Sequence, residues 1–312
     1  MRICIYGAGA MGTSLGSLLQ NADIPCTLVT RNQGHVAALK DAGMNALHPE
    51  EMTGEFDLIF LSTKQKENAR IAAFLSEYLT SDGALVSVQN GLPEEGLAAV
   101  LGEERVYGCA LSWGAELIEN GKVKVTSESG YHFALGAYGS GARLQEIAAL
   151  LSRVGEVTVG KLAEIRFAKL ATNASMSTLS AISGLRFGEI AKKYRRQALA
   201  LIKETFAVAR ACGCEKLPLN GHDLFKVFGA FGWITLPIAM KKYQDTRSGM
   251  LKDLEARRRC DIDFVAGAVV REGKKRGVQA PKLERAVALV HEIENGFAEI
   301  APESILLLEE TL

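Results

Sequence analysis

The opening stretch of the chain, residues 1–12, most constrains what the sequence can fold into. A short β-prone run, Ile3–Tyr6, is followed by Gly7, Gly9 and Gly12 in a G-x-G-x-x-G pattern, and apolar residues at helical spacing come next. Strand, glycine turn and helix in this order are typical of a unit that binds a dinucleotide. The first glycine permits a tight turn, the second lets the backbone approach a pyrophosphate, and the third lets the helix pack on the strand. The alternative interpretation is a glycine-rich turn that binds nothing.

The composition is that of an ordinary globular protein. The chain has 312 residues, of which 48% are hydrophobic and 23% charged, and this length favours two domains. Basic and acidic residues balance at 36 each, which gives no net field that would attract nucleic acid or an anionic membrane. No apolar run approaches the length of a membrane span, and too few residues precede the first glycine for a signal peptide. We therefore expect a cytoplasmic protein that binds neither nucleic acid nor membrane.

The cysteines and histidines do not predict a metal site. The six cysteines are scattered, which indicates reduced and mostly packed thiols in a chain of this kind. Cys212 and Cys214 lack a second pair of ligands at zinc-like spacing, and the five histidines form no metal or catalytic motif. We expect no metal.

The first half of the sequence alternates between strand-like and helix-like segments. The segment Asp57–Thr63 is a nearly continuous apolar run, as expected for a strand buried in a parallel sheet. This rhythm predicts a doubly wound parallel sheet, with a hairpin at its edge that turns at residues 127–130. The predicted strands are Ile3–Tyr6, Cys26–Thr30, Asp57–Thr63, Ala84–Val88, Arg105–Ser112, the hairpin strands Lys122–Thr126 and Tyr131–Leu135, and Val157–Val159. The predicted helices are Thr13–Gln20, Gly34–Ala42, Glu67–Leu79 and Arg143–Val154.

After about Lys161 helical periodicity takes over. The predicted fold class is therefore α/β, with an N-terminal Rossmann doubly wound sheet over residues 1–163 and a C-terminal all-α domain over residues 164–312. The glycine pattern assigns dinucleotide binding to the first domain. The predicted helices of the second domain are Ala163–Ile182, Gln197–Cys212, Met250–Lys275 and Leu283–Asn295.

Arg31 indicates which dinucleotide is bound. Folds that prefer NAD usually place an acidic residue about 20 residues after the glycines, on the ribose 2′-hydroxyl. Here no acidic residue lies between Cys26 and Lys40, and Arg31 follows the second strand instead. A cation suits a 2′-phosphate, so the sequence predicts NADP(H) as the cofactor. The alternative is a solvated surface arginine.

Two further polar residues follow predicted strands. Lys64 follows the third strand and Asn90 the fourth, at the carboxyl ends where open α/β sheets bind ligands. Lys64 could face the cofactor and Asn90 the nicotinamide end. A surface lysine and an ordinary Asn-Gly turn are the alternatives.

A cluster in the second domain could carry the chemistry. Lys169, Asn173 and Ser177 are spaced i, i+4 and i+8, so they share one face of a helix whose other positions are mostly apolar or small. A lysine on such a helix either extends its ammonium to solvent or holds it beside a pocket, where it can act as a proton donor.

Motifs along nearly the whole chain resemble the ketopantoate reductase family (2-dehydropantoate 2-reductases). They are the opening Gly-Ala-Gly-Ala-Met-Gly, Arg31, Thr63-Lys64, Gln89-Asn90-Gly91, Lys169 with Asn173, and Ser248-Gly-Met-Leu-Lys-Asp253 followed by Cys260-Asp-Ile-Asp-Phe264. The resemblance implies a helical domain of the 6-phosphogluconate dehydrogenase C-terminal type.

The resemblance also implies roles for individual residues. By this resemblance Lys169 would be the catalytic acid that protonates the keto oxygen. The implied substrate-binding residues are Asn90, Asn173, Ser177, Ser248 and Asp261. The implied cofactor-binding residues are Gly7, Ala8, Gly9, Ala10, Met11, Gly12, Arg31, Lys64, Asn90, Gly114 and Asp261.

Three positions depart from the family pattern. Asp261 stands where the family motif has Glu, Ser177 replaces a second Asn, and Phe187 falls near a further substrate Asn. These changes suggest a substrate with a bulkier or more apolar tail. For Asp261 the alternative is a solvated charge beside Arg257–Arg259.

The resemblance thus implies NADPH-dependent reduction of a 2-oxo acid, first of all ketopantoate to pantoate in pantothenate and coenzyme A biosynthesis. It also implies that residues 1–163 bind NADP and that residues 164–312 carry the substrate and catalytic residues, with the active site in the cleft between the two domains. One alternative is a related NADP-dependent reductase of another branched 2-oxo acid or of the 3-hydroxy acid class. The other is a non-catalytic dinucleotide-binding sensor. We expect a monomer or homodimer that binds a small-molecule substrate.

Overall fold

The computed structural model of the chain describes residues 1–126 and 130–309. Contacts divide these residues into two units. The first comprises Met1–Gln89 and Pro93–Leu162, and the second comprises Asn90–Leu92 with the residues from Ala163 onward.

The first unit is built on an eight-stranded sheet, which confirms the predicted Rossmann class. Its strand order is β3-β2-β1-β4-β5-β6-β9-β10, and the first six of these strands in space are parallel. The strands of the unit are β1 Ile3–Tyr6, β2 Cys26–Val29, β3 Asn45–Leu47, β4 Phe56–Leu61, β5 Leu79–Ser87, β6 Val106–Leu111, β7 Ala115–Glu119, β8 Lys122–Val125, β9 His132–Ala137 and β10 Glu156–Val159. Its helices are α1 Ala10–Asn21, α2 Gln33–Asp41, α3 Asn68–Ser76, α4 Glu94–Leu101 and α5 Leu144–Ser152.

Both faces of the sheet are covered, and this explains the unbroken apolar runs in the sequence. Ile3 and Ile5 of β1 enter one core, whereas Cys4 and Tyr6 enter the core on the opposite face. Successive side chains of a strand point to opposite faces, so a strand covered on both sides must be apolar at every position. The strand order reverses between β1 and β4, and open α/β sheets bind ligands beyond the carboxyl ends of such a pair.

The prediction that Lys122–Thr126 and Tyr131–Leu135 form a hairpin at the sheet edge is wrong. β8 pairs antiparallel with β7 in a separate two-stranded ribbon, and β9 pairs antiparallel with β6 and parallel with β10. Burial accounts for this partition, because Phe133 and Leu135 of β9 are fully buried in the core while the side chains of β7 are almost all exposed. Residues 127–129, which were predicted to turn the hairpin, lie outside the described residues.

The second unit is helical, as predicted. Its core gathers side chains from most of its helices, and within the described residues no helix combines the length and apolar character needed to cross a membrane. Its helices are α6 Leu162–Thr172, a π-helical segment Asn173–Ser177, α7 Thr178–Ser183, α8 Phe187–Lys193, α9 Arg195–Ala211, α10 Leu224–Val227, α11 Gly232–Met240, α12 Gly249–Glu255, α13 Ala266–Lys275 and α14 Pro281–Glu294. It also contains the short strands β11 Pro218–Leu219 and β12 His222–Asp223. Short 3₁₀ segments of the chain span Pro49–Glu51, Gln65–Glu67, Glu103–Arg105, Lys241–Tyr243, Ile262–Phe264 and Pro302–Leu308.

The prediction of one helix over Met250–Lys275 is wrong. α12 ends after Glu255, and Arg257 takes a left-handed backbone conformation with φ +55°. The Arg258 guanidinium then folds back onto the Asp253 carboxylate at 2.8 Å. The chain therefore leaves the helix and forms a turn at Asp261 before α13 begins.

Candidate active site

The three glycines after β1 are required for different reasons. Gly7 has φ +99°, and a β-carbon there would lie 2.7 Å from the backbone nitrogen of Thr63. A β-carbon on Gly12 would lie 2.5 Å from the carbonyl oxygen of Gly7. One on Gly9 would lie within 4 Å of no other part of the described chain beyond its own neighbours. The packing of the chain itself thus demands glycine at positions 7 and 12. At Gly9 the neighbouring space is open, as expected where a bound group approaches the backbone.

The start of α1 has the character of an anion site. Within the described residues Gly9 provides no side-chain cap, and the first turn of α1 contains no acidic residue. The first backbone N–H groups of a helix have no partner inside the helix, and the helix dipole adds a partial positive charge there. The open space at Gly9 and this helix terminus together fit a dinucleotide pyrophosphate.

The rest of the loop is fixed from behind. The backbone nitrogens of Gly7 and Ala8 both donate to the carbonyl of Val29 on β2 at 2.9 Å, and Ala8 is fully buried. Met11 packs against the core of the first unit, and Ala10 is the first residue of α1.

A buried histidine that the sequence analysis did not select supports this loop. His35 Nδ1 accepts from the backbone nitrogen of Gly121 at 2.9 Å, so its proton lies on Nε2, 3.1 Å from Thr13 Oγ1. Thr13 in turn donates to the carbonyl of Ala8 at 3.3 Å. Burial lowers the pKa of His35, which keeps the ring neutral and this chain of hydrogen bonds intact.

The predicted 2′-phosphate residue lies in a cluster of charges. Arg31 is largely exposed after β2, and its Nη1 lies 3.8 Å from the Glu67 carboxylate. Arg70 on α3 pairs with the same carboxylate, and this contact lowers the pKa of Glu67. Two guanidinium groups therefore meet at the carboxyl ends of β2 and β4, the second of which the sequence analysis missed.

The ends of β4 and β5 are joined by a partly buried pair of side-chain amides, Gln89 and Asn68. Gln89 Nε2 donates to the Thr63 carbonyl at 2.7 Å, and Gln89 exchanges hydrogen bonds of 2.8 and 3.0 Å with the Asn68 amide. The pair fixes the segment that carries Lys64, whose side chain is exposed at the start of the Gln65–Glu67 3₁₀ turn.

Asn90 and Gly114, the other two candidate residues that follow strands, have different surroundings. Asn90 is exposed and groups with the second unit, where Leu92 packs against the helical core. Gly114 follows β6, and its carbonyl accepts from the Thr126 nitrogen at 2.8 Å.

The predicted catalytic face is an accessible stripe on a helix that is otherwise largely buried. From Glu164 to Ser183 the residues that are not buried are Lys169, Thr172, Asn173 and Ser177. The structure therefore brings Lys169, Asn173 and Ser177 onto one face, as the spacing predicted, and adds Thr172.

A π-helical segment keeps this stripe straight. In an α-helix a spacing of four residues overshoots one turn by about 40°, so three residues at i, i+4 and i+8 drift around the axis. The π turn Asn173–Ser177 is wider, which offsets that drift. Local hydroxyls favour it, because Ser175 Oγ donates to the Ala171 carbonyl at 2.7 Å and Thr172 Oγ1 to the Lys169 carbonyl at 3.0 Å.

Ser248 is tied to the same helix. Its backbone nitrogen donates to Ser180 Oγ on α7 at 3.3 Å, and its own Oγ caps α12 by accepting from the Leu251 nitrogen at 3.0 Å. The preceding residues hold the start of α8, since the Phe187 nitrogen donates to the Thr246 carbonyl at 3.1 Å. Ser180 is a positioning residue that the sequence analysis did not identify.

Asp261 lies in the turn between α12 and α13, and not within a helix. It is half-buried, whereas Arg257–Arg259 are exposed, so its setting differs from theirs. The turn is anchored from α14, where the Glu294 carboxylate accepts from the Cys260 nitrogen at 2.8 Å.

A histidine completes this anchor. His291 Nδ1 lies 2.9 Å from Glu294 and its Nε2 lies 2.9 Å from Asp263. Burial opposes the charged form of the ring, but the hydrogen bonds to these two carboxyl groups outweigh it and raise the pKa of His291. His291 thus ties α14 to the turn that carries Asp261.

Comparison with known proteins identifies the family. The model of the family "Ketopantoate reductase PanE/ApbA" matches residues 3–138, and its C-terminal counterpart matches residues 161–294. This chain belongs to the ketopantoate reductase family. Members of this family are dinucleotide-dependent oxidoreductases.

Individual relatives agree over almost the whole chain. The 2-dehydropantoate 2-reductase of Archaeoglobus fulgidus is 26% identical, over 95% of this chain and 98% of the relative. That of Lactococcus lactis is 25% identical, over 93% of this chain and 97% of the relative.

Solved structures show the same fold. A ternary structure of D-mandelate dehydrogenase with NADH and anilino(oxo)acetate has a TM-score of 0.82 at 22% identity, covering 95% of this chain and 99% of that one. The 2-dehydropantoate 2-reductase from Geobacter metallireducens has a TM-score of 0.81 at 23% identity, covering 94% and 99%.

The different roles of the glycines predict separable effects. Gly12→Ala should lower the thermal unfolding midpoint, because its β-carbon collides with the Gly7 carbonyl. Gly9→Ala should leave that midpoint within about 2 °C of wild type, since its β-carbon meets open space, but should weaken dinucleotide binding at least about 10-fold. Differential scanning fluorimetry and titration of cofactor fluorescence measure the two effects. Unchanged dinucleotide affinity in Gly9→Ala would contradict the assignment of this space to the pyrophosphate.

Proposed function

We propose that this family member is a cytoplasmic, NADPH-dependent reductase of a 2-oxo acid, with ketopantoate as the first candidate substrate. The observation that carries the proposal is the accessible stripe of Lys169, Thr172, Asn173 and Ser177 on an otherwise buried helix. A lysine, an amide and two hydroxyls in line can donate hydrogen bonds to the oxygens of a keto acid. Reduction of ketopantoate would yield pantoate for pantothenate and coenzyme A biosynthesis.

Lys169 is assigned the proton transfer. NADPH, when bound, supplies the hydride that adds to the keto carbon. As that carbon is reduced, the Lys169 ammonium donates a proton to the keto oxygen, and its charge stabilises the alkoxide that develops there. Asn173 orients the same oxygen or the neighbouring carboxylate, while Asn90, Ser248 and Asp261 orient the cofactor and the rest of the substrate.

The preference for NADPH is supported by the charges beyond β2 and β4. Arg31 and Arg70 converge on Glu67, and a 2′-phosphate would offer both guanidinium groups a stronger anionic partner than one shared carboxylate. Lys64 lies on the segment directly preceding this cluster and adds a third cation.

Removing Arg31 should reduce the preference between cofactors. We expect wild type to bind NADPH about 10- to 100-fold more tightly than NADH, the scale of one charge-assisted contact, and Arg31→Ala to erase most of that difference. Glu67→Gln is the matched control, because it releases both arginines and should tighten NADPH without affecting NADH. Titration of both cofactors against the three proteins provides the measurement. Equal affinities in wild type would show that the chain does not select NADPH.

Removing the Lys169 amine should abolish turnover and spare cofactor binding. Lys169→Ala should lower kcat by at least about 100-fold, the scale of a general acid, while the Kd for NADPH stays unchanged. Lys203→Ala, on an exposed position of α9, is the control and should behave as wild type. Stopped-flow and steady-state oxidation of NADPH with ketopantoate check this. Near-normal turnover in Lys169→Ala would leave Lys169 with a structural role only.

The proposed substrate site departs from the family pattern at three positions. Asp261 is one methylene shorter than the Glu usual in the family, which retracts its carboxylate by up to about 1.5 Å if the turn keeps its place. Ser177 and Phe187 replace amides, and Phe187 also packs against the helical core. We therefore propose that the preferred 2-oxo acid has a bulkier or more apolar tail than ketopantoate.

A substrate panel tests this preference. Wild type should turn over ketopantoate weakly and prefer a branched or aryl 2-oxo acid such as phenylglyoxylate, the oxidised counterpart of mandelate. Asp261→Glu and Phe187→Asn should raise kcat/KM for ketopantoate and not for phenylglyoxylate. A wild-type kcat/KM for ketopantoate of about 10⁴ M⁻¹s⁻¹ or more, lowered by Asp261→Glu, would identify an ordinary ketopantoate reductase.

The same panel separates catalysis from sensing. If the protein were a sensor, it would bind NADPH, but no 2-oxo acid of the panel would cause that NADPH to be oxidised. The accessible Lys169 and Asn173 favour the enzyme, because a site that only binds a dinucleotide needs no proton donor in the helical unit.

A further inference from the structure

The β7–β8 ribbon lies outside the main sheet, yet both of its strands pack against α1. Trp113, just ahead of β7, fixes the base of the ribbon to this helix. Its indole Nε1 donates to Ser14 Oγ on α1 at 3.1 Å, and both side chains are buried. The ribbon is therefore attached at its base to the helix whose N-terminus faces the open space at Gly9.

The tip of the ribbon, Asn120 and Gly121, is seated closely on α2. Gly121 has φ +79°, and a β-carbon there would lie 2.9 Å from the β-carbon of Ala38. A β-carbon on Gly34, near the start of α2, would lie 2.9 Å from Nδ2 of Asn120. Such close packing leaves the tip little freedom to slide along the helix.

One chain of hydrogen bonds runs from the tip to the glycine loop. The Gly121 nitrogen donates to Nδ1 of the buried His35, whose Nε2 lies 3.1 Å from Thr13 Oγ1. The single hydroxyl proton of Thr13 goes to the Ala8 carbonyl, so Thr13 must accept from His35 Nε2. This direction agrees with the tautomer that Gly121 imposes on the ring. Each group in the chain thus has one consistent role.

A second link runs from the tip to the segment that carries Arg31. The side-chain Oδ1 of Asn32 caps α2 by accepting from the His35 nitrogen at 3.1 Å. The amide nitrogen of Asn32 then donates to Asn120 Oδ1 at 3.2 Å. Asn32 directly follows Arg31, so this bond joins the ribbon tip to the candidate 2′-phosphate segment.

The two segments joined by the tip would bind two phosphate groups of one ligand. The glycine loop is the candidate pyrophosphate site and Arg31 the candidate 2′-phosphate site. In NADPH the adenosine ribose links these groups, so the two protein segments must be held at a matching separation. A separation that is set before binding lowers the entropy cost of ordering the site.

We propose that the tip of the β7–β8 ribbon sets the position of these two phosphate-binding segments, with His35, Thr13 and Asn32 as positioning residues. The link through His35 requires only that the loop binds a dinucleotide. The link through Asn32 rests on the proposed function, in which Arg31 binds the 2′-phosphate of NADPH.

The link through Asn32 should matter for NADPH alone. Asn120→Ala removes the acceptor, whereas Asn32→Ser removes the donor and keeps a hydroxyl that caps α2. Each should raise the Kd for NADPH about 3- to 10-fold, the range of one hydrogen bond, and leave the Kd for NADH unchanged. The double variant should bind NADPH no more weakly than either single variant, because all three lose the same bond. Ile118→Thr, an exposed change on β7, is the matched control and should behave as wild type.

The link through His35 should affect both cofactors equally. Thr13→Val removes the hydroxyl with little change in shape, and His35→Leu removes both ring nitrogens. Each should raise the Kd values for NADPH and NADH at least about 5-fold and leave their ratio unchanged. Thr13→Ser keeps the hydroxyl and should bind as wild type does, whereas a role in packing alone would make valine the better substitute. Circular dichroism verifies that each variant is folded, and titration of cofactor fluorescence gives the Kd values.

Wild-type affinities in Thr13→Val would overturn the proposal, as would an unchanged ratio of NADPH to NADH affinity in Asn120→Ala and Asn32→Ser. Additive losses in the double variant would overturn it too, because the two amides would then act separately. Equal affinities of wild type for the two cofactors would instead refute the preference for NADPH and with it the link through Asn32. Titration of Thr13→Val with NADH would still decide the link through His35.

Discussion

The close approach of α1 to the carboxyl ends of β1 and β4 is the constraint on which the candidate cofactor site depends. It is possible only because Gly7 and Gly12 lack side chains, since a β-carbon on either would overlap backbone atoms. The helix terminus is thereby held at the point where the strand order reverses. The remaining space at Gly9 is left open by this packing. A candidate phosphate site built in this way would be fixed before any ligand arrives, which lowers the entropy cost of binding.

Buried polar side chains fix the loops that carry the candidate residues. His35 holds the glycine loop, Gln89 joins the ends of β4 and β5, and Glu294 anchors the turn before Asp261. Each makes hydrogen bonds to backbone groups or to neighbouring polar side chains, and leaving such a buried group unpaired would cost about 1–3 kcal/mol. These interactions therefore act as positional restraints: a loop that moved away would break them.

In the helical unit the candidate residues are positioned by a deviation from ideal helix geometry. The π turn at Asn173–Ser177 offsets the drift of an α-helix, so that Lys169, Asn173 and Ser177 stay on one accessible line while the apolar residues between them remain in the core. Hydroxyls of Thr172 and Ser175 compete for the carbonyls that an α-helix would use. These two hydroxyls thus shape the backbone here, and Thr172 also belongs to the accessible stripe.

The sequence by itself determined the features that rest on local sterics and periodicity: the glycine turn, the alternation of strands and helices, and the shared face of Lys169 and Asn173. Tertiary structure alone decided which strands pair, so that β8 joins β7 and not β9. It also decided that the predicted helix is interrupted at Arg257. It decided as well which groups distant in sequence form hydrogen bonds, such as His35 with Gly121. The physical reason is that a pattern of apolar residues encodes a period and a buried face. It does not encode which strand or side chain lies opposite. That choice depends on burial and hydrogen bonding in the folded chain as a whole.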